Sequence, residues 1–99
     1  MIKKRFFKTK DEVEVTFEWP QGDESSVAIA GDFNEWNAQP MKLNKKNKAF
    51  SFKTRLPKEG SFQFRYLIDG ETWENDHAAD AYVANEHGSD NSLVSTVTE

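Results

Sequence analysis

Ser61-Phe62-Gln63-Phe64-Arg65-Tyr66-Leu67-Ile68-Asp69-Gly70 is the most clearly patterned stretch of the chain. Phe62, Phe64, Tyr66 and Ile68 recur at every second residue. Successive side chains of a strand point to opposite faces, so this period of two reads as a strand. Its core face carries those four residues, and its outer face carries Gln63, Arg65 and Leu67. Asp69-Gly70 reads as a hairpin turn, since both residues tolerate positive φ. Arg65 is thereby placed on the surface, a few residues before Trp73.

The same period extends in both directions. Val13, Val15, Phe17 and Trp19 alternate with Glu14, Thr16 and Glu18 until Pro20-Gln21-Gly22-Asp23 breaks the run. Trp19, at the end of that strand, reads as a core residue. Val27 and Ile29 alternate with Ala28 and Ala30 before Gly31. Met41 and Leu43 form a short apolar pair, and residues 44–48 read as a polar hairpin tip. Phe50, Phe52, Thr54 and Leu56 alternate up to Pro57-Lys58-Glu59-Gly60, and residues 93–97 make a last strand. Short strands at intervals of about 8–12 residues indicate an all-β, antiparallel sandwich. The one helical expectation is a single turn over residues 77–82. Residues 1–10 read as a basic N-terminal arm that Phe6 and Phe7 anchor, and residues 11–99 as a single domain.

Composition narrows the function classes. Ninety-nine residues, 36% of them hydrophobic, with eight Phe and three Trp, suffice for one aromatic-rich core. A net charge of −4 argues against nucleic acid, whose phosphates call for a basic surface. No apolar run approaches the roughly 20 residues of a membrane span. Lys3, Lys4 and Arg5 are not followed by the apolar region of about 7–15 residues that a signal peptide needs. The chain has no cysteine, which rules out disulfides and thiol chemistry and fits a reducing, cytoplasmic location.

The charges are unevenly distributed. All thirteen Lys and Arg lie between Lys3 and Arg65, and eight carboxylates follow Tyr66. The simpler expectation is that the acidic C-terminal third packs beside basic strands. A calcium site at Asp76 and Asp80 is the alternative, but the Asp-x-Asp-x-Asp-Gly loop is absent. His77 and His87 lack companions for zinc, and no cofactor is expected.

Two tryptophans stand among polar residues at turns, Trp36 in Gly31-Asp32-Phe33-Asn34-Glu35-Trp36-Asn37 and Trp73 after Asp69-Gly70. A third polar stretch is His87-Gly88-Ser89-Asp90-Asn91-Ser92. An indole stacks on the apolar C–H face of a pyranose, and amide, hydroxyl and guanidinium groups bond its hydroxyl rim. Trp36, Arg65, Trp73, Ser89 and Asn91 thus suit a sugar if their loops converge. Catalysis fits poorly. A glycosidase needs two carboxyls at a set spacing in a cleft, and no nucleophile elbow or phosphate-binding glycine loop is present.

Residues 27–36, Val-Ala-Ile-Ala-Gly-Asp-Phe-Asn-Glu-Trp, resemble the opening signature of carbohydrate-binding module family 48. Leu56-Pro57-Lys58-Glu59-Gly60, Phe64-Arg65-Tyr66-Leu67-Ile68-Asp69-Gly70 and then Asn85, Gly88, Asn91 and Ser92 continue the resemblance in order, over roughly residues 13–97. The family takes in the glycogen-binding domain of the AMP-activated protein kinase beta subunit and the early-set N-terminal domain of isoamylases. The resemblance implies an immunoglobulin-like β-sandwich that binds α-1,4-linked glucan such as glycogen or starch. Trp36 and Trp73 correspond to the two stacking tryptophans, with two residues rather than one between Asp69-Gly70 and Trp73. Arg65 stands at the position of a ligand-binding lysine, and Asn91 at that of an asparagine that bonds sugar hydroxyls. Ser89 replaces a threonine, and His87 a leucine that reaches into the sugar helix. The implied partners are an α-glucan polysaccharide or malto-oligosaccharide and a glucan-metabolising enzyme. The alternative is an interaction module of glucan metabolism that keeps the fold without binding sugar.

Overall fold

The computed structural model describes residues 2–97. Met1 and residues 98–99, the last of the expected 11–99 domain, lie outside the described residues. Among the described residues, ten strands form two antiparallel sheets. The first sheet has the order β1 (Ile2–Phe6), β2 (Glu12–Pro20), β6 (Ala49–Pro57), β5 (Lys42–Asn44). The second runs β4 (Gln39–Pro40), β3 (Val27–Gly31), β7 (Ser61–Ile68), β10 (Asp90–Ser95), β9 (Ala81–Ala84), and β8 (Thr72–Glu74) also pairs with β7. The sheets pack as an immunoglobulin-like sandwich.

The core is what alternation dictates. Val13, Val15, Phe17, Val27, Ile29, Phe64, Tyr66 and Val94 are buried between the sheets, and Phe62, Ile68 and Trp19 pack partly buried against them. Phe17 sits at the centre, 4.8 Å from the Phe64 ring and 5.3 Å from Phe33. Aromatic and β-branched residues fill a pleated, half-buried surface well, which is why this composition makes strands.

Three segments differ from the sequence expectation, the first being the last strand, expected over residues 93–97 and found as β10 over Asp90–Ser95. Residues 77–82 make no helical turn. His77 and Ala78 form a turn and residues 81–84 form β9, whose Tyr82 pairs with Ser92 of β10. An edge needing a strand overrides the weak helical preference of its alanines. Within the basic arm, residues 2–6 pair with β2 from Ile2↔Phe17 to Phe6↔Val13. Three cationic side chains in five residues suit an edge strand, because charge discourages further pairing. Lys4 of this strand bonds Asp80 at 2.6 Å, one direct contact between the basic and acidic parts of the chain.

Tyr66 fixes the connection after β8. Its buried hydroxyl donates to Asp76 Oδ2 at 2.7 Å, and the Asp76 amide donates to Ser92 Oγ at 2.9 Å. Burial first, and the adjacent Asp76 carboxylate second, push the Tyr66 phenol far above the usual tyrosine range, so it remains a proton donor. Asp80 accepts from Lys4 and from the Ser95 amide. Among the described residues no three His, Asp or Glu side chains come together as a metal site.

Candidate functional site

The outer face of β7 is the floor of the site. Ala30 of β3 pairs with Arg65 and Leu67 pairs with Trp73 of β8. Ser92 of β10 pairs with Phe64, so the next residue, Asn91, comes level with Arg65. β10 takes the first half of one edge of β7 and β8 the second half. Arg65, Asn91 and Trp73 are therefore neighbours by register alone.

Trp36 reaches this floor from the end of β3. Gly31 is followed by a single 3-10 turn, Asp32–Asn34, in which Phe33 turns inward onto Phe17. Asn34 Oδ1 accepts the Gly31 amide, and Asn34 Nδ2 donates to the Ile29 carbonyl, which folds the loop back on its strand. Glu35 and Trp36 then both adopt positive φ, 56° and 60°. For non-glycine residues this costs about 1–3 kcal/mol each and persists only where the surroundings impose it. Here the Trp36 amide donates to the Gly31 carbonyl at 2.9 Å, and its indole Nε1–H donates to Asp32 Oδ1 at 2.9 Å. The left-handed step swings the ring outward, where it is 38% exposed.

Trp73 is held by a strand instead. Asp69-Gly70 has positive φ at both residues, as the turn requires, but the loop counts three residues, because Ile68 pairs with Thr72. Asp69 Oδ1 also accepts the amides of Ser25 and Ser26, tying the turn to the loop before β3. The added residue leaves Trp73 on the outer face opposite Leu67, 41% exposed. The Arg65 guanidinium lies 5.9 Å from its ring centroid. Arg65 points outward but is only half-exposed, and its Nε is buried without a hydrogen-bond partner among the described residues.

The third wall is the turn between β9 and β10. Asn85 organises it. Its Oδ1 accepts the amides of His87 and Ser89, and its Nδ2 donates to Ser89 Oγ and to Asn91 Oδ1. Gly88 has φ 82°, which suits a residue without a Cβ. Asn91 Nδ2 in turn donates to Gln63 Oε1 at 3.0 Å.

Trp36, Arg65, Trp73, His87 and Asn91 line one cleft of about 550 Å3, together with Asn85 and Glu86. Ser89 does not line it. Its hydroxyl is directed at Asn85, and it braces the turn from behind. Sequence reasoning did not single out Asn85, Glu86 or the supporting Gln63 as site residues. Asn85 carried one usable signal, an Asn three residues before a glycine, which favours a side-chain-closed turn. Two indoles bordering a groove with amide, imidazole and guanidinium groups between them can stack on ring faces and bond a rim of hydroxyls. Glu86 is the one carboxylate among the described lining residues.

A β-sandwich with an open, aromatic-edged cleft on one sheet is the architecture of a carbohydrate-binding module. The family model for the glycogen recognition site of AMP-activated protein kinase matches residues 13–99, and the chain belongs to that family, within carbohydrate-binding module family 48. A comparison with curated protein sequences gives no match. Among solved structures, the chain is similar to the enterobactin esterase FES from Shigella flexneri, crystallised in the presence of 2,3-Di-hydroxy-N-benzoyl-serine. The TM-score is 0.75 at 10% identity, over 96% of this chain and 32% of that one. The chain thus spans about a third of that esterase, and the likeness bears on the fold alone.

Proposed function

We propose that this carbohydrate-binding module binds α-1,4-linked glucan of the glycogen or starch type without transforming it, through Trp36 and Trp73 as stacking platforms. The observation that carries this reading is the exposure of both indoles on a cleft they share with Arg65 and Asn91. Indoles left about two-fifths exposed in a domain with an aromatic core need a reason, and a sugar face supplies one. Arg65 and Asn91 offer donors and acceptors to hydroxyls, and His87 adds a further polar group at the rim. One lining carboxylate fits neither the retaining nor the inverting arrangement of two, which favours binding over hydrolysis. Two stacked rings and a few hydrogen bonds in competition with water correspond to about −4 to −7 kcal/mol, or millimolar to roughly ten micromolar.

The test is a titration of tryptophan fluorescence with maltoheptaose and β-cyclodextrin, with cellohexaose as the control. A saturable change with the α-glucans alone is expected. No change up to several millimolar, together with failure to sediment with glycogen, would sink this reading and leave the module as a docking domain for a glucan-metabolising enzyme.

A further inference from the structure

We infer that Asp32 is a positioning residue of the glucan cleft, acting on the ligand through the indole of Trp36. The inference rests on the reading of Trp36 as a platform. Asp32 does not line the cleft, yet its carboxylate bridges the two parts that must be aligned. Oδ1 accepts the Trp36 indole Nε1–H at 2.9 Å, and Oδ2 accepts the backbone amide of Gln63, in β7, at 2.7 Å.

The geometry has a specific consequence. Trp36 is an exposed residue of a loop whose backbone runs through two successive left-handed residues. Its main-chain bond to Gly31 fixes the Cα but leaves the side-chain torsions free. The indole-to-Asp32 bond removes that freedom, and the second carboxylate oxygen fastens the same group to the floor strand. The ring is thereby set relative to β7 before any ligand arrives, and less ordering is left for binding to supply.

The fastening continues across the floor. Gln63, whose amide meets Asp32, presents its side-chain oxygen to Asn91 Nδ2, and Asn91 Oδ1 accepts from Asn85. Trp36 on one side and the His87 turn on the other are joined through Asp32, Gln63, Asn91 and Asn85. A carboxylate is required at position 32 because both groups that meet it are donors. A carboxamide has one acceptor oxygen and would turn its NH2 toward the second donor.

The experiment compares Asp32→Ala and Asp32→Asn in the wild-type and Trp36→Phe backgrounds, since phenylalanine keeps a ring but has no N–H. The ligand-free readout is the set of three indole N–H signals in a nitrogen–proton correlation spectrum, assigned with Trp36→Phe. Either Asp32 variant should shift the Trp36 signal and leave those of Trp19 and Trp73 in place. Affinity for maltoheptaose should fall about tenfold, the loss expected for one charge-assisted hydrogen bond. In the Trp36→Phe background the same substitutions should cost no further affinity. An unmoved Trp36 signal, or an equal loss of affinity in both backgrounds, would overturn the assignment. If Asp32→Ala does not fold, Asp32→Asn, nearly isosteric with the native side chain, carries both readouts. Failure of the wild type itself to bind an α-glucan would strike the function reading, while the indole signals would still decide whether Asp32 holds the ring.

Discussion

Trp36 and Trp73 face the same cleft, but the chain presents them by opposite means. Trp73 sits in regular β8, and its direction follows from its pairing with Leu67. Its one cation–π neighbour among the described residues is the Arg65 guanidinium. Trp36 has no strand to direct it. Its ring is set by a 3-10 turn, two left-handed residues and hydrogen bonds from side chains of the same loop. A platform built on a sheet inherits the rigidity of the fold. One built on a loop needs its own supports, and each support is a place where the site can fail alone.

The most severe way to break this contrast is Gly31→Ala. Gly31 is extended, φ −170°, so backbone freedom is not its purpose. A Cβ there would stand 2.6 Å from the Gln63 carbonyl oxygen and 2.8 Å from Phe64 Cβ. Neither can move without shifting β7, so the substitution should cost about 2–3 kcal/mol. Urea unfolding reads the loss directly. A variant as stable as the wild type would show that the Trp36 loop is not anchored by this close approach.

Trp36→Ala and Trp73→Ala test the platforms themselves. Each should cost about 1–3 kcal/mol of glucan binding, the range for an aromatic anchor, while stability changes by less than about 0.5 kcal/mol. Trp73→Ala should cost the more, because it also deprives Arg65 of the ring beside it. Calorimetry with maltoheptaose measures both. Unchanged binding in the double variant would remove both residues from the site.

A smaller effect is expected at Tyr66→Phe, which touches the Trp73 side from within the core. Removing the hydroxyl takes one hydrogen bond from the buried Asp76 and should cost about 1–2 kcal/mol. The sign of the pH dependence follows from the raised phenol. Its folded-state pKa lies above the unfolded value of about 10, so its contribution is complete below that pH and is lost as pH rises beyond it. The wild type should lose stability in alkali more steeply than Tyr66→Phe. Parallel alkaline limbs in the two unfolding series would show that Tyr66 is not the group responsible.

The same contrast explains what could be read from the sequence. Everything set by strand period was legible: the inward Phe64 and Tyr66, the outward Arg65, and the sandwich they imply. The strand register, which the sequence does not state, is what brings Arg65, Asn91 and Trp73 together. The edges were harder. Ile2 to Phe6 has apolar residues only at its two ends, and residues 77–82 are rich in alanine, so neither announces a strand. Side-chain direction in loops was not legible at all. Nothing in the sequence around Asp32 shows that it holds an indole, and Asn85 offers only its spacing to Gly88 as a sign that it organises a wall of the cleft.

Ser89 is the sharpest instance, and it gives the smallest expected effect. By resemblance it occupies a ligand-bonding position, but its hydroxyl is engaged with Asn85. If Ser89 only braces the turn, Ser89→Ala should leave glucan affinity within about 0.5 kcal/mol, because Asn85 keeps its bonds to the His87 and Ser89 amides and to Asn91. Asn85→Ala should cost more, since it removes all of these at once and frees the Asn91 amide at the cleft. A loss at Ser89→Ala equal to that at Asn85→Ala would return Ser89 to the binding surface. It would also mean that the 85–91 turn rearranges when glucan binds, and that the loop-built parts of this cleft are completed by the ligand.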